Sequence, residues 1–375
     1  MSPEWRLLAD DAVSASFGLA ADDALAQRVG VGESPPTLRL YTYHSYCALV
    51  GRFQNIENEI HVDYCRSKNI AINRRPTGGG AIIMGAEQLG VALTIPGRGD
   101  DAYSRARDLM EKFSEGLMLG LNTLGVQAHF RRKNDIEVNG RKIIGLGIYR
   151  APSNGLLFHA SLLVDLDVPF MLRVLKTPFE KISDKEVATV AARTTTVCRE
   201  IGQAISVDQV RARIADGYAS AFGVSLLPGD FTLEERQVIA TLERDRYLTD
   251  PWVFQTTQVP DAFGSAKVKT PAGLLDVRAT LAGRILKAVY IGGDFFTTER
   301  AIADLEAALR WHTADPAAVA ATLRQNYARW ESELSHVPLA DLIQAVQTAI
   351  QRASIADAKA RADPYGCFVN PGGSP

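Results

Sequence analysis

The sequence predicts an α+β protein in which mixed and antiparallel sheets pack with helices, followed by a small α+β accessory domain at the C-terminal end. Three observations lead to this fold class. The 375 residues are enough for two domains. Strand-like runs in the first 230 residues alternate with only a few helical patterns. Tight turns join most of these runs, which favours mixed or antiparallel pairing over a doubly wound parallel sheet.

The elements expected along the chain combine strands of period two with amphipathic helices. In chain order we expect a mostly helical segment (5–30), two strands around His44-Ser45 (38–55), a helix (57–68), two neighbouring strands (81–84 and 89–95), a helix (101–124), a hairpin (135–144) and a further strand (156–166). Asn139-Gly140 would supply the two positive-φ residues of a type I′ turn in the hairpin. We expect a catalytic domain over residues 1–245, the accessory domain over 246–345, and a C-terminal helix and tail over 346–375.

The composition is that of a soluble globular protein, with 46% apolar and 22% charged residues. A net charge of -2 argues against a general nucleic-acid binder. The four cysteines form no CxxC pair and the six histidines no HExxH or HxH pattern, so we expect neither a disulfide framework nor a zinc site. With no run of about 18 apolar residues, we expect no membrane span and a cytoplasmic protein.

The stretch NRRPTGGGAIIM (73–84) is the first candidate binding segment. It matches neither the GxxxxGK[ST] phosphate loop nor the GxGxxG dinucleotide fingerprint. Three bare glycines would let a ligand approach the backbone closely, with N–H groups pointing at it. Arg74 and Arg75 would then contact a carboxylate or phosphate. The alternative is a bulged turn with solvated arginines.

The second candidate segment is KNDIEVNGRKIIGLGIYR (133–150). Asn134 and Asp135 are reasonable partners for Mg²⁺ and a nucleotide phosphate. Lys142, on a rigid strand, could hold developing negative charge, and Gly145 and Gly147 would leave space for a ligand. A plain hairpin with exposed charges is the alternative.

Together, RRPTGGGAI and the later ND-x-x-VNGRKI-x-G resemble the lipoate/biotin-protein ligase superfamily, and specifically lipoate-protein ligases. Matches to further motifs extend the resemblance over about residues 5–320: FGLAADDALA (17–26), LVGRFQN (49–55), LLFHASLL (156–163), KISDKEVATVAARTTTV (181–197) and LKAVYIGGDFF (286–296). Two positions depart from the family pattern. Met84-Gly85 replace the usual His-Asp pair, and Ala160-Ser161 replace Gly-Thr after His159.

The resemblance implies an ATP-dependent ligase that converts lipoate and MgATP to lipoyl-AMP and then acylates a lysine of a lipoyl-domain or H-like carrier protein. Lys142 would be the catalytic residue, and Asp135 a Mg²⁺ ligand. The substrate- and nucleotide-binding residues carried over are Arg74, Arg75, Thr77, Gly78, Gly79, Gly80, Ala81, Asn134, Asp135, Gly145, Gly147, His159 and Ser161, and in addition Gly51, Arg52 and Arg193.

Two other functions stay open. An octanoyl or lipoyl transferase of the same fold uses no ATP and needs a cysteine that carries the acyl group as a thioester. The segment HFRRKND before the hairpin has no cysteine, and Cys47 lies in an apolar strand. A non-catalytic lipoate- or carrier-binding protein is the second alternative. A biotin ligase is disfavoured because its GRGRxxR-type loop is missing.

Overall fold

The computed structural model describes residues 2–97, 106–131, 134–176, 192–254, 262–271 and 273–362. The chain divides into two compact units, Met1–Thr256 and Thr257–Pro375. None of the helices within these described ranges is long and apolar enough to cross a membrane.

The first unit contains eleven of the strands that the structure describes. They are β1 (Glu4–Val13), β2 (Thr37–Tyr43), β3 (Cys47–Val50), β4 (Ala71–Arg74), β5 (Ile82–Met84), β6 (Gln88–Pro96), β7 (His129–Arg131), β8 (Asp135–Val138), β9 (Arg141–Arg150), β10 (Gly155–Leu163) and β11 (Ser225–Pro228). Eight form a mixed sheet in the order β11-β1-β2-β6-β10-β9-β8-β7, and three form a small sheet in the order β4-β3-β5.

Helices of the first unit pack against these sheets. They are α1 (Ala15–Gly30), α2 (Ile56–Glu59), α3 (Val62–Ser67), α4 (Ala106–Asn122), α5 (Val168–Val174), α6 (Val197–Ile201), α7 (Val207–Phe222), α8 (Leu233–Leu242) and α9 (Asp250–Val253), with a π-helical turn over Glu243–Tyr247. Helix α1 begins where Ser14 caps the backbone N–H of Phe17. Its buried alanines and leucines join the main core with residues of β1, β2 and β10.

The second unit is an antiparallel sheet with helices. Its strands are β12 (Ala262–Thr270), β13 (Gly273–Ala282), β14 (Ile285–Gly293) and β15 (His312–Thr313), and its helices are α10 (Glu299–Leu309), α11 (Pro316–Tyr327), α12 (Glu331–Leu334) and α13 (Leu339–Ala362), with a 3₁₀ turn over Ala328–Trp330. The predicted α+β class, with mixed sheets and a small accessory unit, is therefore confirmed.

Three local predictions were wrong. Residues 4–13 form strand β1 and not helix, because parallel partners distant in sequence, β2 and β11, supply its hydrogen bonds. The strands at 82–84 and 88–96 are not neighbours, since β5 pairs with β3 in the small sheet and β6 with β2 and β10 in the large one. The helix expected over 57–68 is two short helices, α2 and α3.

The predicted hairpin is confirmed, and it carries an irregularity. Asn139 and Gly140 both have positive φ, 50° and 75°, as a type I′ turn requires. Strand β9 then runs antiparallel to β8, but the register shifts between Ile136 and Glu137, which face Ile144 and Lys142. Ile143 is therefore an extra residue in β9, a β-bulge.

Candidate active site

A cleft lies where β9, β10 and Asn134, the residue before β8, meet the glycine loop and α1. The apolar side chains along it come mainly from α1, β2, β3 and β5, and the polar ones mainly from β9, β10 and the residue before β8. The lining residues are Leu19, Tyr41, Tyr43, Leu49, Arg75, Gly79, Gly80, Ala81, Ile82, Met84, Asn134, Lys142, Gly145, Leu146, His159, Ala160 and Ser161. Such a cleft can hold a hydrocarbon chain beside a charged head group.

The bulge at Ile143 sets the direction of Lys142. In a regular strand Lys142 and Gly145 would project from opposite faces, because they are three residues apart. Ile143 and Ile144 are instead both fully buried, and a Cβ on Gly145 would lie 3.1 Å from Lys142 Nζ. The bulge thus brings the Lys142 ammonium over Gly145, where it forms an ion pair of 2.6 Å with Asp135. The Lys142 side chain is 36% exposed, so a substrate can reach it.

Gly145 and Gly147 make room for side chains of the protein itself. The sequence suggested that both leave space for a ligand; Gly145 does line the cleft, whereas Gly147 does not. A Cβ on Gly147 would lie 2.5 Å from His159 Nε2, and one on Gly145 would lie 3.2 Å from Ser161 Oγ. Each glycine pairs with one of these residues across the β9–β10 ladder. The two glycines therefore position His159 and Ser161 in the cleft.

His159 is a neutral imidazole in this environment. Burial, reinforced by the nearby charge of Arg75, lowers the pKa of His159 to about 3. Its Nε2 lies 2.8 Å from Thr77 Oγ1. The predicted residue Thr77 is itself buried and is not among the residues that line the cleft. It orients His159 from behind.

Arg75 holds the glycine loop by its carbonyl groups. Its Nη2 donates to the carbonyls of Gly78 (3.4 Å) and Gly80 (2.8 Å), while its Nη1 donates to Leu49 O (2.6 Å). Gly79 has a φ of 95°, which favours glycine there. Of Gly78 and Gly80, Arg75 binds only the carbonyl groups. Within the described ranges, the amide N–H groups of Gly78, Gly79 and Gly80 have no hydrogen-bond acceptor. These amides can therefore meet an anionic ligand.

Arg74 stabilises the backbone next to the glycine loop and does not line the cleft. The expected contact between Arg74 and a ligand is therefore not supported. Its fully buried guanidinium donates to five carbonyls: Gly51 (2.9 Å), Arg52 (3.1 Å), Gln54 (2.6 Å), Trp252 (3.0 Å) and Val253 (3.2 Å). Burial, with the charges of Arg52 and Arg75 added, lowers the pKa of Arg74 to about 9. Arg74 thus ties the turn over residues 51–54 to the end of the first unit.

The two glycine-rich turns touch directly. A Cβ on Gly51 would lie 2.0 Å from Gly79 O, so only glycine fits there. The Arg52 amide donates to Thr77 O at 2.8 Å, and its guanidinium lies 4.7 Å from the Trp252 ring centroid. Gly51 and Arg52 therefore support the loop. Arg193 is solvent-exposed.

The predicted Mg²⁺ site finds little support in the donor set. Asp135 is engaged with Lys142. Among the described residues, no group of three or more histidine, cysteine, aspartate or glutamate side chains could hold a metal ion. Octahedral Mg²⁺ is commonly held by one or two carboxylates together with water and substrate phosphates, and Asp135 alone offers one carboxylate that is already paired.

Several residues at the site were not predicted from the sequence. The apolar lining, including Tyr41, Tyr43 and Leu49, comes from strands whose contact with the cleft depends on the tertiary fold. Asn134 was predicted, and its carbonyl accepts the N–H of Leu146 at 2.8 Å while the residue lines the cleft. Trp252 lies 178 residues from its partner Arg74, so no local pattern indicates that contact.

Comparison with known proteins identifies the family. Residues 14–219 match the lipoyl protein ligase A/B catalytic domain. Octanoyltransferase LipM of Kyrpidia tusciae is 30% identical over 276 residues, which are 67% of this chain and 98% of that protein. LipM of Clostridioides difficile is 29% identical over 259 residues, 64% of this chain and 94% of that protein.

Two solved structures are similar. The bi-partite lipoate protein ligase of Thermoplasma acidophilum, studied with its E2 lipoyl domain, has 26% identity and a TM-score of 0.61, covering 68% of this chain and 98% of its own. LipL1 of P. falciparum, in complex with lipoate, has a TM-score of 0.68 and covers 92% of this chain and 99% of its own; at 15% identity it shows the fold alone. The chain belongs to the family of the lipoyl protein ligase A/B catalytic domain.

Proposed function

We propose that this protein is an ATP-dependent lipoate-protein ligase. The observation that carries this proposal is the polar part of the cleft. Lys142, which is paired with Asp135, lines the cleft, and none of the lining residues that the structure describes is a cysteine. A ligase needs a fixed positive charge at the acyl carboxylate. A thioester-forming transferase needs a reactive thiol there.

In the first step an oxygen of the lipoate carboxylate attacks the α-phosphorus of ATP. The bond between the α-phosphorus and the bridging oxygen breaks, giving lipoyl-AMP and pyrophosphate. Lys142 would stabilise the charge shared by the carboxylate and the α-phosphate, and the free amides of the glycine loop would receive phosphate oxygens.

In the second step the neutral ε-amine of a carrier lysine attacks the acyl carbon. The carbon–oxygen bond to AMP breaks, AMP leaves, and the amine proton passes to solvent. The archaeal relative is described with its E2 lipoyl domain, which supports a lipoyl-domain carrier for this chain as well. The apolar lining suits the hydrocarbon chain of lipoate or octanoate.

An octanoyltransferase is the second candidate, because the curated relatives named above are LipM proteins. None of the described cysteines is well suited to form the thioester that a transferase needs. Cys47 and Cys65 are buried, and burial raises the pKa of both thiols, that of Cys65 to about 11. Cys198 is partly buried, with its Sγ 4.0 Å from the Ile205 carbonyl. Cys367 lies outside the described residues.

The test is lipoate-dependent exchange between ATP and labelled pyrophosphate. We expect exchange in the wild type and a loss on the order of 10²–10³ in Lys142→Ala, the cost of removing one preorganised donor to developing charge. Lys112→Ala, which removes an exposed lysine of α4, is the matched control and should leave the rate unchanged. Absence of exchange, together with octanoyl transfer from an octanoyl carrier that a thiol reagent blocks, would identify a transferase instead.

A further inference from the structure

The backbone of Lys142 contacts residues that do not line the cleft. Its carbonyl accepts the N–H of Thr195 at 2.8 Å, and Lys142 forms an isolated parallel bridge with Thr194. Thr195 and Arg141 meet on one carboxylate, because Glu200 Oε1 accepts from Arg141 Nη2 at 2.7 Å and from Thr195 Oγ1. We call Arg141, Thr195 and Glu200 the outer clamp.

The outer clamp acts on the strand end that carries the bulge. Arg141 and Lys142 are consecutive, so their side chains leave β9 on opposite faces. When the Arg141 guanidinium is fixed on one face, the strand can rotate less about its axis. The direction of the Lys142 ammonium on the other face is therefore restricted as well. The nearby turn at Asn139-Gly140 is exposed, and on this side of the bulge only Arg141 and Lys142 of β9 pair with β8.

Glu200 is itself rigidly placed. It belongs to α6, whose first turn is capped by Thr196, because Thr196 Oγ1 accepts the N–H of Arg199 at 3.2 Å. The helix ends at Gly202 in the left-handed conformation, φ 71°, and Val197 anchors it in the core. The Glu200 side chain is 10% exposed, so its ion pair with Arg141 is largely shielded from water.

We propose that Glu200 is a positioning residue for Lys142, acting through Arg141 and Thr195. This inference rests on the proposed function, in which Lys142 contacts the reacting carboxylate and phosphate. Displacement by about 1 Å of a group that orients reactants can cost on the order of 10² in rate. Glu200 is not among the residues that line the cleft, so its loss should lower the rate of chemistry more than it weakens lipoate binding.

The first experiment separates rate from binding in the full chain. Glu200→Gln keeps an acceptor for Thr195 but removes the charge that holds Arg141. We expect kcat of pyrophosphate exchange to fall by about 10-fold or more, with little change in KM for lipoate. Arg141→Met should cause a similar loss, and the double variant should lose no more than either alone, because both remove the same contact.

The control is another shielded ion pair of the first unit. Glu235 binds Arg6 at 2.6 Å, and the side chains of the two residues are 1% and 11% exposed. Glu235→Gln should lower the melting temperature without lowering kcat of exchange at a temperature where the protein is folded. Equal losses of kcat in Glu200→Gln and Glu235→Gln would overturn the proposal, since stability alone would then explain both. An unchanged kcat in Glu200→Gln would also overturn it.

A second measurement does not depend on the ligase reaction. The rate at which acetic anhydride modifies Lys142 can be followed by mass spectrometry of the folded protein. Loosening the outer clamp should weaken the Lys142–Asp135 pair and raise this rate several-fold in Glu200→Gln but not in Glu235→Gln. If the wild type shows no exchange yet this difference appears, the proposed function fails and the positioning role stands. Equal labelling rates would overturn the positioning role whatever the exchange assay gives.

Discussion

The direction of the Lys142 side chain depends on an extra residue, Ile143, that its own motif does not reveal. The motif around Asp135, Lys142 and Gly145 was sufficient to predict which residues meet in the site. It was not sufficient to predict how their side chains are oriented, because the bulge follows from the pairing register of two strands. The glycines illustrate the same gap, since the sequence did not show that the space beside them holds His159 and Ser161.

His159 should give the protein an acid-sensitive stability. The pKa of His159 lies near 3 in the folded protein, below the ordinary value of 6.5, because burial disfavours the imidazolium. Between these two values the unfolded chain binds a proton that the folded protein does not. The free energy of unfolding should therefore fall as the pH drops from about 6.5 toward 3, by at most about 1.4 kcal/mol per pH unit from this residue.

Urea unfolding of the wild type and of His159→Gln at pH 7.5, 6.0 and 5.0 measures this contribution. As the pH falls over this range, the free energy of unfolding should decrease less in the variant than in the wild type. The decrease that remains in the variant comes from other titrating groups. Asp11 and Glu235, whose pKa values are lowered by Arg211 and Arg6 against the cost of burial, act at lower pH and are common to both proteins. Parallel stability curves for the two proteins would contradict the assignment.

At the scale of elements, local sequence predicted the parts with strong local signals. The hairpin was indicated by Asn139-Gly140, and α4 by apolar residues at three-four spacing. Strand β1 was missed because its hydrogen-bond partners are remote in sequence. The π-helical turn over 243–247 was also missed, and its position is fixed by contacts of Arg246 and Tyr247 with Asp23 at 2.9 and 2.8 Å.

The contact between Arg74 and α9 should contribute strongly to stability. Arg74→Met would remove one donor from each of five carbonyls. The Gly51 carbonyl keeps the N–H of Gln54, and each carbonyl that is left buried and unsatisfied costs about 1–3 kcal/mol. Allowing for relaxation and water entry, we expect a loss of at least about 3 kcal/mol in the free energy of unfolding. The measurement is urea unfolding followed by circular dichroism.

Arg66→Met is the matched control, because Arg66 lies on α3 with its side chain 68% exposed. Its effect should stay within about 0.5 kcal/mol. Arg74→Lys should recover only part of the loss, since one ammonium has three donors and cannot reach both groups of carbonyls. A loss below about 1 kcal/mol in Arg74→Met would show that the five contacts are not important for stability.

At the scale of the whole molecule, the residues that match the family, 14–219, all lie in the first unit. Two thirds of this chain accounts for 98% of the length of LipM from Kyrpidia tusciae. The sequence indicated a boundary at 245, where a charged helix follows a turn-rich stretch. The structural division instead follows Thr256, because the segment after the charged helix packs back on α1 and β4.

A polypeptide of residues 1–254 should therefore fold, and one of residues 1–245 should be much less stable. The shorter one lacks Arg246 and Tyr247, which bind Asp23, and Trp252, whose carbonyl binds Arg74. Thermal unfolding and limited proteolysis of both, beside the full chain, provide the measurement. Equal melting temperatures for the two truncated proteins would show that residues 246–254 add nothing to the fold.

Successive side chains of a strand point to alternate faces of the sheet. One inserted residue therefore moves every later side chain of the strand to the opposite face. In β9 the insertion is Ile143. Its removal would keep the lysine, the aspartate and the glycines in the sequence but turn the ammonium away from the glycines. Within this family, the presence of the lysine in an alignment is therefore not enough to infer its place in the cleft. The number of residues between the lysine and the following glycine has to match as well.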